Sequence, residues 1–328
     1  MSQNIYRIIL VALGMLGAGV SFNASAALTS FQTFVGNVGY SSDGFGSLSQ
    51  TGTISASVPV GSTVLGAYLY TGFSGGGAGI GGTLNGSSVS YGPLVPNGTA
   101  CCSIGSARAD VTSIIKPLID GGLGGIYNFT VTETSSGQDG EALVVVYSNP
   151  ALPVATFAIL DGFASVTGDT TSINFATPLN PLDPGFFAEM FLGINFSCCS
   201  QKSTVTVNGV TITLNAGNND DGLGSAANGQ LITVGGFDDP YSSLLPSYEN
   251  DHEKYNLLGQ INNGDTSITV NTSNASRDDN IFLAGFFVRG EAGVNAPPPR
   301  GNPVPEPGIL GLLGLGSLSI IYLRRRRN

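Results

Sequence analysis

The chain has no tryptophan, one histidine, three methionines and four cysteines in 328 residues, and only 10% of its residues are charged. Each shortage narrows the chemistry. A serine or cysteine hydrolase would have to use His252 as its base, since there is no other histidine. That residue sits in Glu249-Asn250-Asp251-His252-Glu253-Lys254, the polar and acidic setting of an exposed loop. Gly72-Phe73-Ser74-Gly75-Gly76 matches the G-x-S-x-G nucleophile pattern, but the elbow needs a helix directly after it. Gly77-Ala78-Gly79-Ile80-Gly81-Gly82 cannot hold a helix, so Ser74 reads as part of an inter-strand loop. The cysteines form two adjacent pairs with no Cys-x-x-Cys spacing, which speaks against zinc. Absence of tryptophan removes the favoured stacking platform for sugars, although tyrosine and phenylalanine can replace it.

What is present is clearest at the two ends. Arg7, an apolar run Ile8–Val20 and Ala24-Ser25-Ala26 make a signal peptide of residues 1–26, cleaved by signal peptidase after Ala26 with Ala24 as the other small residue. The run of 13 residues is too short to cross roughly 30 Å of hydrocarbon. Residues 297–307 form a Pro-rich linker, an extended spacer without helix or strand potential. An apolar segment, Gly308–Leu323, follows as a transmembrane helix of roughly 24 Å. Residues 324–328, with Arg324, Arg325, Arg326 and Arg327, form a tail held in the cytoplasm by the positive-inside rule. The order Val304-Pro305-Glu306-Pro307, glycine-rich apolar helix and arginine cluster resembles the PEP-CTERM sorting signal of Gram-negative bacteria. The resemblance implies recognition by an exosortase, removal of the tail, and a host that makes exopolysaccharide and biofilm. The expected course is an exported precursor tethered to the inner membrane, then a protein of the cell envelope or extracellular space. A plain anchor would differ only in keeping the tail.

Without Arg7 and Arg324–Arg327 the chain keeps 7 basic residues against 22 acidic ones, a body near −15. Nucleic acid and anionic lipid both require a positive footprint and are excluded as partners. Export makes disulfides the default for Cys101, Cys102, Cys198 and Cys199, with three connectivities possible. A bridge across about 97 residues would constrain the unfolded chain by roughly 4 to 5 kcal/mol.

Residues 27–296 predict an all-β body: an antiparallel two-sheet sandwich of jelly-roll or Ig-like type, as one large or two closely packed β domains. Strand-like runs bounded by turn residues lie at 51–58, 62–70, 126–134, 142–148, 154–160, 186–196, 204–214, 266–271 and 281–288. Asn208-Gly209 is the signal of a two-residue hairpin turn, which would set Val207 opposite Val210 and Val205 opposite Ile212 with all four on one face. Leu143–Tyr147 is continuously apolar and predicts a central strand covered on both sides. Short helical turns are expected at Asp110–Ile115 and Lys254–Ile261, and no long amphipathic helix anywhere in the body. Segments such as Thr83-Leu84-Asn85-Gly86, Ala109–Ser113, Asp161-Gly162-Phe163 and Gly264–Ser267 resemble those of other exported β-rich bacterial proteins, a resemblance that carries no catalytic residue.

Acid- and amide-rich loops are the remaining signal: Asn218, Asp220 and Asp221; Asp238 and Asp239; Asp278 and Asp279. Hard oxygen ligands on loops suit a structural calcium ion, and the same residues also simply make turns. They lack EF-hand spacing, because the twelfth position from Asn218 is Gly229. The sequence therefore points to a non-enzymatic envelope or matrix protein acting in adhesion or with exopolysaccharide. The alternative is a carbohydrate-active module, binding or hydrolytic, marked by convergent carboxylates beside exposed tyrosine in a groove.

Overall fold

A computed structural model describes residues 28–46, 49–97, 103–165, 167–196, 202–217, 232–273 and 281–297. The chain folds into antiparallel sheets. The first strands are β1 (Thr29–Gly36), β2 (Val38–Phe45), β3 (Thr51–Val58), β4 (Thr63–Phe73), β5 (Gly82–Leu84), β6 (Ser87–Val89), β7 (Val95–Pro96) and β8 (Gly105–Asp110). A helix, α1 (Thr112–Ile119), leads to β9 (Gly125–Glu133) and β10 (Gln138–Ser148). The second half continues with β11 (Ala155–Asp161), β12 (Thr170–Phe175), β13 (Ala188–Asn195), β14 (Ser203–Val207) and β15 (Val210–Ala216). It closes with β16 (Ile232–Val234), β17 (Lys254–Asn256), β18 (Ser267–Ser273), β19 (Ile281–Arg289) and β20 (Ala292–Val294).

The body is expected as a two-sheet sandwich in one large or two closely packed domains, and it has four sheets. The first half forms β2-β10-β4-β8-β7 and β3-β9-β5-β6, and the second forms β1-β11-β19-β13-β16, with β17 also on β13, and β15-β14-β18-β12-β20. Adding nine to each strand number of β2-β10-β4-β8 and β3-β9-β5-β6 gives β11-β19-β13-β17 and β12-β18-β14-β15, so the second half repeats the strand path of the first.

Three apolar cores order the four sheets as a stack. Ile54, Phe129 and Val131 of the outer sheet meet Leu69, Leu143 and Val145, with Ile115 and Ile119 of α1 closing the edge. Alternate residues of the same strands, Tyr70, Val144 and Val146, pack on Phe157, Ile159, Phe191 and Phe282 of the second half. The reverse faces of those strands, with Leu160, Met190 and Phe286, cover Ile173, Val205 and Ile268. The two inner sheets are thus buried on both faces. Leu143–Tyr147 is the central strand expected, paired to β2 and β4. At about 25 cal/mol per Å² of apolar surface removed from water, this doubly covered layer is the main stabilising term.

β1 and β2 form one bent ribbon with only Asn37 between them. β1 pairs with β11 of the second half and β2 with β10 of the first, so this ribbon ties both halves together. Neither strand shows in the apolar pattern, because β2 buries Ser41, Ser42 and Asp43. Their side chains take the place of ladder bonds: Ser41 Oγ accepts the Ser57 N–H at 2.9 Å, Asp43 accepts the Ser55 N–H, and Ser42 Oγ donates to the Gly235 carbonyl at 2.7 Å.

Three local expectations need correction. The β14–β15 hairpin turns at Asn208-Gly209 with Val207 opposite Val210, but a bulge sets Val205 opposite Thr213, and Val210 is left exposed beyond the covered part of the sheet. The helical turn expected over Lys254–Ile261 is confined to a 3-10 turn at Leu258–Gln260, because Lys254–Asn256 pairs with β13 as a strand. The helix expected at Asp110–Ile115 begins at Thr112 and runs to Ile119, anchored where Asp110 Oδ1 accepts the Thr112 N–H at 2.9 Å.

Candidate functional site

The two halves meet along a groove. Gly39, Tyr40, Ser41 and Ser57 from the first half, with Tyr147, face Glu189, Phe237, Lys254 and Phe287 of the second around a cavity of about 250 Å³. Tyr40 is fixed by stacking on Phe157 with ring centres 4.4 Å apart and on Phe191 at 5.5 Å, with Phe287 edge-on at 5.3 Å. Gly39 is required beside it. A Cβ there would stand 2.6 Å from the Tyr147 ring, so only glycine lets that ring lie on the strand.

Glu189 is held in β13 between Asn256 and Phe287 of the neighbouring strands. Its carboxylate receives the Tyr241 hydroxyl. Burial first, then the charge and hydrogen bond of Glu189, push the Tyr40 hydroxyl well above its usual pKa. Tyr147 is pushed up to about 12 by burial and then by the charge of Glu189. Both phenols are therefore neutral donors over the whole physiological range. Lys254 crosses the groove floor, donating to the Gly236 carbonyl at 2.7 Å and the Asp239 carbonyl at 3.4 Å, with the Tyr241 ring centre 5.6 Å from its ammonium. A larger, shallower hollow of about 720 Å³ lies between the β5–β6 hairpin and α1, lined by serines and Asp110. It lacks the facing aromatic rings and opposed charges of the junction groove.

Of the acidic residues singled out in the sequence, Asp238 and Asp239 directly follow Phe237, which lines this groove. Asp239 Oδ2 accepts the Gly236 N–H at 2.7 Å, which closes a tight turn, and its Oδ1 lies 3.6 Å from His252 Nδ1. Burial raises the Asp239 pKa, helped by Asp238 and opposed by the Gly236 bond, His252 and Lys254. Asp43 is pushed up to about 7, by burial above all, with the charges of Asp238 and Asp239 adding to it and the Ser55 N–H opposing it. Asn218, Asp220, Asp221, Asp278 and Asp279 lie outside the described residues, as do all four cysteines, Ala24, Ala26 and residues 298–328. Among the described residues no group of three or more His, Cys, Asp or Glu is arranged to hold a metal. Ser74 lies in a turn continued by Gly75, Gly76 and Gly77, all at positive φ, so no helix follows it.

Two further pairs of acids are buried, one in each half. Asp251 and Glu253 are fully buried, and each is satisfied. Asp251 accepts from Thr213, from Tyr255 at 2.7 Å and from Ser242 at 3.1 Å; Glu253 accepts the Gly217 N–H at 2.7 Å and the Thr233 hydroxyl at 2.8 Å. Of Glu133 and Glu141, Glu133 is less well served. Glu141 accepts from Tyr91 at 2.7 Å and Gln138 at 3.3 Å, while Glu133 Oε1 has no partner. Burial raises Glu133 to about 8, and burial with the nearby Glu133 charge raises Glu141 well above the carboxylate range.

Sequence reasoning passed over Tyr40, Glu189, Tyr241 and Lys254. One signal was available: Glu189 is the lone charge inside the apolar run Phe186–Phe196. A charge within a strand buried on both faces reads as a site.

Comparison with known families places the PEP-CTERM protein-sorting motif at residues 303–327. No curated protein and no solved structure matches the chain. The motif implies an exported protein that is membrane-anchored before an exosortase processes it. Among the described residues no helix is long and apolar enough to cross a membrane.

Proposed function

We propose that the chain is a non-enzymatic component of the cell envelope or extracellular matrix, sorted by an exosortase and acting in adhesion or with exopolysaccharide. The observation that carries this reading is the sorting motif at residues 303–327, which follows a Pro-rich stretch of the sequence. Gly308–Leu323 holds the precursor in the membrane and Arg324–Arg327 set its orientation. The strand path repeated in both halves follows the order of a jelly roll, so the body is read as two jelly rolls in tandem, a rigid load-bearing module. The experiment is co-sedimentation of the mature protein with the extracellular polysaccharide of its host. Retention in the pellet supports the reading, and a protein that stays wholly in the supernatant argues against it.

The cysteines fit the same picture. Asn195 Nδ2 donates to the Gly105 carbonyl at 3.3 Å, joining the two halves. Cys101, Cys102, Cys198 and Cys199 lie outside the described residues, and export to an oxidising compartment is what supports reading them as disulfides, with three connectivities open.

A carbohydrate-active module remains the second reading, favoured by the groove with Glu189 between Tyr40 and Tyr241. Hydrolysis by the usual route uses two carboxylates about 5 to 9.5 Å apart on either side of the bond. Glu189 is the one carboxylate among the described residues lining the cavity, which favours binding over hydrolysis.

A further inference from the structure

We propose that the cavity at the junction of the two halves is a saccharide subsite that takes one neutral pyranose ring of a polysaccharide. The inference rests on the reading of the chain as a polysaccharide-associated protein and gives that reading a location. Its ligand class follows from the walls. The lining is aromatic at Tyr40, Phe237 and Phe287, which suits the C–H face of a sugar ring, and beside these rings stand Glu189 as acceptor and Lys254 as donor. Lys254 is already bonded to two backbone carbonyls, and Glu189 to Tyr241, so the opposed charges are tied down by the protein. An anionic ligand would meet Glu189 at close range and a cationic one Lys254. A neutral polyol with one apolar face satisfies both the rings and the polar groups.

Size points the same way. Sites for drug-sized ligands run from about 300 to 1,000 Å³, and this cavity of about 250 Å³ holds a single ring with the rest of a chain left outside. The walls come from both halves, so the subsite exists only when the two sandwiches are docked. One ring with a few hydrogen bonds predicts a dissociation constant on the order of 1 mM, raised to useful avidity by repeated units along a polymer.

The test is saturation-transfer NMR on the mature protein from an exosortase-bearing host, titrated with the methyl glycosides of glucose, galactose, mannose and N-acetylglucosamine. At least one should saturate, and Glu189→Gln, which exchanges a charged acceptor for a neutral amide, should weaken it about tenfold. Tyr241→Ala, at a half-exposed residue, is the second variant and should weaken binding without lowering the melting temperature by more than a few degrees. No signal from any of the four at about 10 mM overturns the subsite, as does binding untouched by both variants. Co-sedimentation with the host polysaccharide separates the two claims. If wild type and both variants pellet alike, the subsite falls and the matrix reading stands; if wild type does not pellet, the matrix reading falls.

Discussion

The two halves share a strand path and differ in what they bury. The likeness reaches individual atoms. In the first half Asn85 has φ +47° and in the second Asn208 has φ +49°, each followed by a glycine at positive φ. Asn85 donates its N–H to the Thr130 carbonyl at 2.8 Å and accepts the Thr130 N–H at 2.8 Å; Asn208 does the same with Thr269 at 2.8 and 2.9 Å. The residue before each asparagine, Leu84 or Val207, faces a valine, Val131 or Val270. The same hairpin is pinned to the same neighbour by the same side chain twice. The acids break the parallel. Asp251 and Glu253 are hydrogen-bonded on every side the structure describes, whereas Glu133 Oε1 has no partner and burial raises the pKa of both Glu133 and Glu141.

The largest effect should come from separating the halves. If the cysteine pairs bridge the two sandwiches, reduction removes a constraint of roughly 4 kcal/mol and lowers the melting temperature by about 10 °C. Alkylation without reduction should label no cysteine in the exported protein; four labelled thiols would remove the bridge.

Next is pH, which should act on the first half. Glu133 rises from 4.5 to about 8, and Glu141 and Asp139 are also raised. From about pH 4.5 to 8 the folded first half keeps protons that the unfolded chain has released. Stability therefore falls as pH rises through that window and stays low above it. Hydrogen exchange at pH 5 and pH 8.5 should show β9 and β10 losing protection more than β18 and β19. Glu141→Gln should flatten the dependence, and equal loss in both halves would undo the contrast.

The smallest effect tests the likeness itself. Asn85→Ala and Asn208→Ala each put a Cβ-bearing residue without a local hydrogen bond at positive φ, at a cost of about 2 kcal/mol. Denaturant midpoints should move alike. A cost at one site and none at the other would mean that the two hairpins are not equivalent.

Much of this fold is written in local pattern. The outer strands β3, β9 and β18 alternate because one face is wet, and the inner strand β10 is uninterrupted because both faces are dry. Thr51–Val58 follows from its pattern residue for residue. β2 was hidden because its serines and aspartate look like a loop until β3 is seen donating to them. The duplication was legible in Thr83-Leu84-Asn85-Gly86 and Thr206-Val207-Asn208-Gly209, but only one of these was read as a hairpin. The groove was not legible at all, since it joins Tyr40, Glu189 and Lys254 across some 200 positions and exists only through docking of the halves. The tail was readable outright, because the sorting motif is a linear order of Pro-rich stretch, apolar segment and arginines rather than a fold.

The C-terminal peptide of the protein recovered from an exosortase-bearing host tests the account most directly. Processing at the sorting motif predicts, by mass spectrometry, a mature chain that lacks Gly308–Asn328, and Glu306→Ala should leave a full-length, membrane-held precursor. Recovery of Gly308–Asn328 still attached to most of the mature wild-type chain would show a permanent anchor and contradict the sorting account.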